Sequence, residues 1–138
     1  MAYKFERLEV WQLAMDYADM IYALADKLPR SEDFNLKSQI TRAVTSISLN
    51  IAEGSTSQSD PEQARFVGLA IRSLIETVAC QHHIHRRKYL ADLTELREAY
   101  LRSRKLFAKL KALRSSLKSE YQIRDNAEEY HTDPDIPF

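Results

Sequence analysis

Nine consecutive residues, Ser46-Ile47-Ser48-Leu49-Asn50-Ile51-Ala52-Glu53-Gly54, carry an apolar helical face straight into a polar segment and an abrupt glycine stop. Asn50 can donate and accept hydrogen bonds, and Glu53 can accept an arginine contact or the free amides at a neighbouring helix start. A carboxylate paired with an imidazole is also the smallest kit for acid-base hydrolysis. Glu76 and the cluster His82, His83 and His85 are the partners such a reaction would need.

The rest of the catalytic apparatus is missing. There is no Ser-His-Asp arrangement, no strand-to-helix nucleophile elbow, no opposed carboxylate pair with a cleft, and no Gly-rich phosphate loop. On one helix His82 and His83 diverge, His82 and His85 share a face only approximately, and nothing completes a His-Glu-x-x-His spacing. The histidines therefore read as helix surface reinforced by Arg86, Arg87 and Lys88. Cys80 is the single cysteine, which excludes an intrachain disulfide and reads as a small buried hydrophobe. No catalytic residue, metal or cofactor is assigned, and a hydrolase using a Glu/His site stays a minor alternative. Asn50 and Glu53, with Arg42 about two turns earlier, read instead as organisers of helix packing or of a subunit contact.

The chain has equal numbers of acidic and basic residues, but they are not evenly spread. Residues 86–118 hold eleven Lys or Arg against Asp92, Glu95 and Glu98, a balance of +8. Residues 120–138 hold six carboxylates against Arg124, a balance of −5. Arg97, Arg104, Lys111 and Lys118 recur every seven residues, a slowly drifting helical stripe that can meet phosphates, with Lys105 beside it. Arg86, Arg87 and Lys88 add charge ahead of the stripe. Solvated cations on a bundle exterior are the plain alternative. No helix-turn-helix or zinc-finger pattern supports sequence-specific DNA reading.

These residues must be positioned by helices. Val10, Ala14, Tyr17, Ile21, Leu24 and Leu28 recur at helical spacing and predict a helix over about 7–28, stopped by Pro29. Asn35 is the expected cap of a second helix with Leu36, Ile40, Ala43, Val44, Ile47 and Ile51 inside, and Gly54 its left-handed stop. Asp60-Pro61-Glu62-Gln63 resembles a capping box opening a third helix over 61–87. Leu93, Leu96, Tyr100, Phe107, Leu110, Leu113 and Leu117 mark a fourth. Four such helices can cover one another's apolar strips, so the expected fold is all-α, an antiparallel up-down four-helix bundle over 1–119. The acidic segment 120–138 reads as a mobile tail, with Tyr130, Ile136 and Phe138 as the residues that would dock it. No stretch is apolar enough to span a membrane, and the expected location is cytoplasmic.

The chain resembles the four-helix-bundle family encoded by intervening sequences in bacterial 23S ribosomal RNA genes. The resemblance is carried by Phe5, Leu8, Val10-Trp11-Gln12, the Pro29 break, Gln39-Ile40-Thr41-Arg42-Ala43, the Ser46–Gly54 stretch, Arg65-Phe66, Ala70, Ser73-Leu74 and Glu76. It implies a polar signature at Arg42, Asn50, Glu53 and Glu76, a packing signature at Trp11 and Ile47, and assembly into a homopentamer. Thr41, Ser48 and Arg72 depart from the family pattern, standing where an arginine, a proline and a glycine are common. A related group that accompanies diversity-generating retroelements looks like a basic pentamer assisting a reverse transcriptase and its RNA. The expectation is a noncatalytic homo-oligomeric interaction protein associated with structured RNA. The alternative is a nucleic-acid-binding accessory protein of a reverse transcriptase.

Overall fold

Each apolar stripe becomes the inner face of a helix. The structure, a computed structural model, describes residues 2–118 and 135–138. Helices α1 (Glu9–Ala25), α2 (Leu36–Gly54), α3 (Asp60–Arg86) and α4 (Thr94–Ser116) follow in order, with short 3-10 turns at Lys4–Arg7 and Arg30–Glu32. Each helix packs on the two beside it, α1 on α2, α2 on α3, α3 on α4 and α4 back on α1, closing an up-down bundle. No strand occurs among the described residues, and none of their helices is long and apolar enough to cross a membrane. The acidic segment foreseen as a mobile tail lies outside the described residues except for 135–138.

The core is aliphatic: Ile21, Leu24, Ile40, Ile47, Ile51, Leu74, Ile84, Leu96, Leu106 and Leu110 are all essentially sealed from solvent. Burying one such side chain is worth about 1.5–3 kcal/mol. One polar chain crosses it. Gln81 Nε2 donates to the Tyr17 hydroxyl at 2.7 Å, and the Tyr17 and Thr77 oxygens lie 2.8 Å apart. Thr77 spends its own proton on the Leu74 carbonyl at 2.6 Å, so Tyr17 donates to Thr77. Burial, only partly offset by Thr77 and Gln81, pushes the Tyr17 phenol far above its ordinary pKa. Tyr17 therefore keeps its proton and ties α1 to α3.

The helix ends differ from the sequence expectation in five places, one being that α1 ends at Ala25 and not near Leu28. The first helix starts at Glu9, because Lys4–Arg7 forms a separate 3-10 turn. Asn35 does not cap α2 with its side chain; the Glu32 carboxylate accepts the Leu36 amide at 3.2 Å and the Asn35 side-chain amide at 2.8 Å. At α3 the cap is Ser59, whose hydroxyl accepts the Glu62 amide, and Asp60 is the first helical residue. Gly54 is not left-handed, since no glycine has positive φ. It is glycine because a Cβ there would sit 2.8 Å from Phe66 Cβ on α3.

The turn from α3 to α4 contains neither glycine nor proline. Lys88 takes the left-handed conformation at φ 58°. The Lys88 amide bonds to the His85 carbonyl and the Tyr89 amide to the Ile84 carbonyl, the paired bonds of a Schellman motif. Asp92 then caps α4 by accepting both the amide and the hydroxyl of Thr94, and those bonds hold its carboxyl below the usual range.

Candidate nucleic-acid and subunit interfaces

Two surfaces collect the residues singled out from the sequence. The first is the edge formed by α4 and the end of α3. Arg86, Arg87, Lys88, Arg97, Lys105 and Lys118 are exposed there, while Arg104 and Lys111 are half-buried. The last two lie against the bundle because their stems cover apolar surface. The Lys111 ammonium sits 5.3 Å from the centre of the Phe107 ring. Arg87 Nη1 is 2.7 Å from His83 Nδ1. Two cations of the wider surface are already matched to carboxylates: Lys27, in the turn after α1, to Glu95 of α4 at 2.6 Å, and Lys109 of α4 to Glu9 of α1 at 3.1 Å. Such exposed pairs are worth little individually. The basic edge thus offers sites for distributed phosphate contacts rather than one enclosed anion pocket.

The second surface is the outer face of α2. Arg42, Thr45, Ser46, Leu49, Asn50 and Glu53 line an open groove of about 570 Å³ with Tyr22 of α1 at its border. Asn50 turns inward along its own helix, donating to the Ser46 carbonyl at 2.9 Å and to the Ser46 hydroxyl at 3.0 Å. Ser46 in turn lies 2.9 Å from Ser73 on α3. Asn50 therefore stiffens the α2–α3 seam and shows only part of itself to the groove. Arg42 reaches back to Ser38 at 3.2 Å. The Glu53 carboxylate has no hydrogen bond or ion pair among the described residues. Leu49, 58% exposed, stands between them. An exposed leucine flanked by an arginine and a free carboxylate is the composition of a contact face, apolar at the centre and polar at the rim. Leu49, Tyr22 and Thr45 were not picked out from the sequence, because a single leucine on a polar face carries no periodic signal.

Trp11 and Ile47 serve packing. Trp11 is half-buried, its ring edge-on to Phe5 at 5.0 Å, and Ile47 is fully enclosed.

The carboxylate-histidine site is not assembled. Gly54 packs on Phe66 and Ser46 on Ser73, so Glu53 lies near the level of Phe66 and Glu76 is about 15 Å farther along α3. Glu76 does share a small cavity of about 220 Å³ with Cys80, His83 and Arg87. Burial, then the nearby Glu76 charge, pushes the Cys80 thiol up to about 11. A thiol protonated at neutral pH is a poor nucleophile. Among the described residues no group of His, Cys, Asp and Glu side chains is arranged to hold a metal ion.

The sequence reading missed one feature, Glu32, altogether, and for the other it named Phe138 as a docking residue without its seat. Glu32 is buried, and its carboxylate accepts the Tyr89 hydroxyl at 2.7 Å, stitching the α1–α2 turn to the α3–α4 turn. That bond, the Leu36 amide and lesser help from Asn35 and Arg87 hold its carboxyl below the usual glutamate range. The other is a seat for Phe138 made by His82, His85 and Tyr100, with ring centres 5.1, 5.0 and 5.6 Å away. The histidine cluster thus has a packing role that no metal-ligand spacing could suggest.

No curated protein matches this chain. A family model does, the 23S rRNA-intervening sequence protein, and its match runs over residues 6–122. That span takes in all four helices, the α2 face and the whole basic stripe. The chain belongs to the 23S rRNA-intervening sequence protein family.

Proposed function

We propose that this protein is a noncatalytic homo-oligomeric adaptor whose α3–α4 edge meets structured RNA. The observation that carries the reading is the +8 balance over 86–118, where eight of the eleven Lys and Arg side chains are exposed. Counterion release from phosphates makes such binding strong at low salt and steeply weaker as salt rises. The family's tie to a ribosomal RNA gene supports RNA as the polyanion. The outer face of α2, with Arg42, Leu49, Asn50 and Glu53, is the proposed subunit contact, and a homopentamer is the proposed assembly. A ring would repeat the basic edge around its circumference, so that weak contacts add by multivalency.

Titration of a structured RNA at several salt concentrations tests the first claim. Saturable binding that weakens linearly in log salt is expected, and no saturable binding at low salt by assembled protein would overturn it. Light scattering tests the second. A homo-oligomer that dissociates in Leu49→Asp is expected, and a monomer at all concentrations would sink the assembly. A reverse transcriptase that holds its template on this same edge is the second reading. It predicts that the RNA affinity of the pair exceeds that of either protein alone.

A further inference from the structure

Phe34, in the turn between α1 and α2, is 99% exposed, the barest large apolar side chain among the described residues. The turn that carries it is tied down on both sides. The Glu32 amide bonds to the Pro29 carbonyl at 2.9 Å, the Asp33 amide to Arg30 at 3.1 Å and the Asn35 amide to Glu32 at 3.0 Å. Beneath it the buried Glu32 carboxylate accepts from Leu36, Asn35 and Tyr89. The phenyl ring is therefore displayed on a fixed support, and a support ordered before binding loses little entropy on binding. A bare aromatic side chain so presented is the kind of anchor that dominates a protein contact.

A receptor of matching character is the open groove on the outer face of α2, where Leu49 and Tyr22 supply the apolar lining. Thr45 gives its own proton to the Thr41 carbonyl at 2.8 Å, so the Tyr22 hydroxyl, 2.8 Å from Thr45 Oγ1, is the donor between them. The polar end of Tyr22 is thereby satisfied, and its ring is left as an apolar wall. Arg42 and Glu53 stand on either side of Leu49, about 16 Å apart along the helix. Phe34 is likewise flanked by one cation and one anion, Arg30 exposed and Asp33 half-buried. Among the described residues neither Arg30 nor Glu53 has an ion pair. Both surfaces thus have an apolar centre with one charge of each sign at the rim. When the phenyl ring meets Leu49, opposite charges can face each other, the Arg30 and Arg42 stems making up the difference in spacing.

Phe34 cannot reach the groove of its own chain, because α2 holds it about 20 Å from Leu49. The occupant must come from another molecule. A ring such as the proposed homopentamer cannot be closed by one patch meeting itself; every copy has to show two different patches, one to each neighbour. The α2 groove supplies only one of them. We propose that Phe34 is the other: the α1–α2 turn of one copy inserts its phenyl ring into the α2 groove of the next, over Leu49 and Tyr22, with Arg30 facing Glu53 and Asp33 facing Arg42. This head-to-tail contact rests on the reading of the α2 face as a subunit contact and names what fills it.

Sedimentation of the full chain over a range of concentrations tests the insertion. Phe34→Ala should raise the dissociation constant of the assembly about 30-fold or more. The side chain is bare in its own chain, so the helical circular dichroism of this variant should match the wild type. Mixing is the decisive arm. Leu49→Asp spoils the groove and keeps the phenyl ring, whereas Phe34→Ala keeps the groove, so the two variants should associate in pairs although neither assembles alone. Variants that stay apart when mixed overturn the insertion. Phe34→Ala that assembles like the wild type while Leu49→Asp dissociates also overturns it, and leaves the α2 contact standing with another occupant. A wild-type chain that is monomeric at every concentration overturns the α2 reading and the insertion together. For the rim, Arg30→Glu should weaken assembly several-fold and the added Glu53→Arg should restore it. A double variant no better than the single ones overturns that charge pairing.

Discussion

Helix α3 makes two seams of opposite character. Toward α2 it presents Ser73 to Ser46 and Phe66 to a glycine, and the helices approach until one added Cβ would collide at 2.8 Å. Toward α4 the corresponding contacts are Gly68 to Arg114 at an ordinary 3.7 Å, an exposed Ile75, and Phe138 seated against His82 of α3 and Tyr100 of α4. Small residues let backbones close and leave no room for a ligand. Toward α4 the contacting side chains are larger, and at Gly68 an added methyl group would meet Arg114 at an ordinary distance. The first seam admits no added side-chain atom and the second does.

The sharpest way to break this comparison is to place the same methyl group in each seam. Gly54→Ala should destabilise the protein by about 1–3 kcal/mol, because Phe66 Cβ cannot swing aside and the helices must part. Urea unfolding would read this as a lower midpoint. An unchanged midpoint would mean that the α2–α3 seam is as loose as the other. Lys88→Gly, at the turn that carries α3 into the second seam, should stabilise by about 0.5–1 kcal/mol by relieving the left-handed conformation. A rise in melting temperature checks it, and a fall would show that the Lys88 side chain contributes more than its backbone strain costs. Gly68→Ala should also stabilise, by about 0.5–1 kcal/mol, since alanine is the better helix former and its methyl fits. Destabilisation there would show that the α3–α4 seam is closed more tightly than the Arg114 distance indicates.

The smallest effect concerns pH. The Glu32 carboxyl is depressed in the folded protein, chiefly by the Tyr89 hydroxyl and the Leu36 amide. Its contribution is complete above the ordinary glutamate pKa of about 4.3 and is lost as pH falls through the lower folded value. Glu32→Gln should therefore lower the melting temperature at pH 7 and flatten its fall below pH 4. Parallel acid limbs in the two proteins would show that Glu32 does not link the two turns.

Much of the fold was legible from the chain. The stripes at Val10–Leu28, Leu36–Ile51 and Leu93–Leu117 are local patterns, and local patterns decide where helices form and which face is buried. The basic stripe was legible for the same reason. The α2 groove was legible only in part. Arg42, Asn50 and Glu53 stood out as polar residues, but Leu49 and Tyr22 become neighbours in space through the packing of α1 on α2.

What the sequence by itself determined is the number of helices, their buried faces, their up-down order and the placement of charge. Each follows from residues within a few turns of one another. Only the tertiary structure decided that Gly54 is a contact and not a left-handed stop, that Glu32 caps α2 where Asn35 was expected, that Lys88 closes the third helix, and that the histidines seat Phe138. These depend on how the helices rotate and how closely they approach. That is settled by packing between residues far apart in the chain, which no local periodicity encodes.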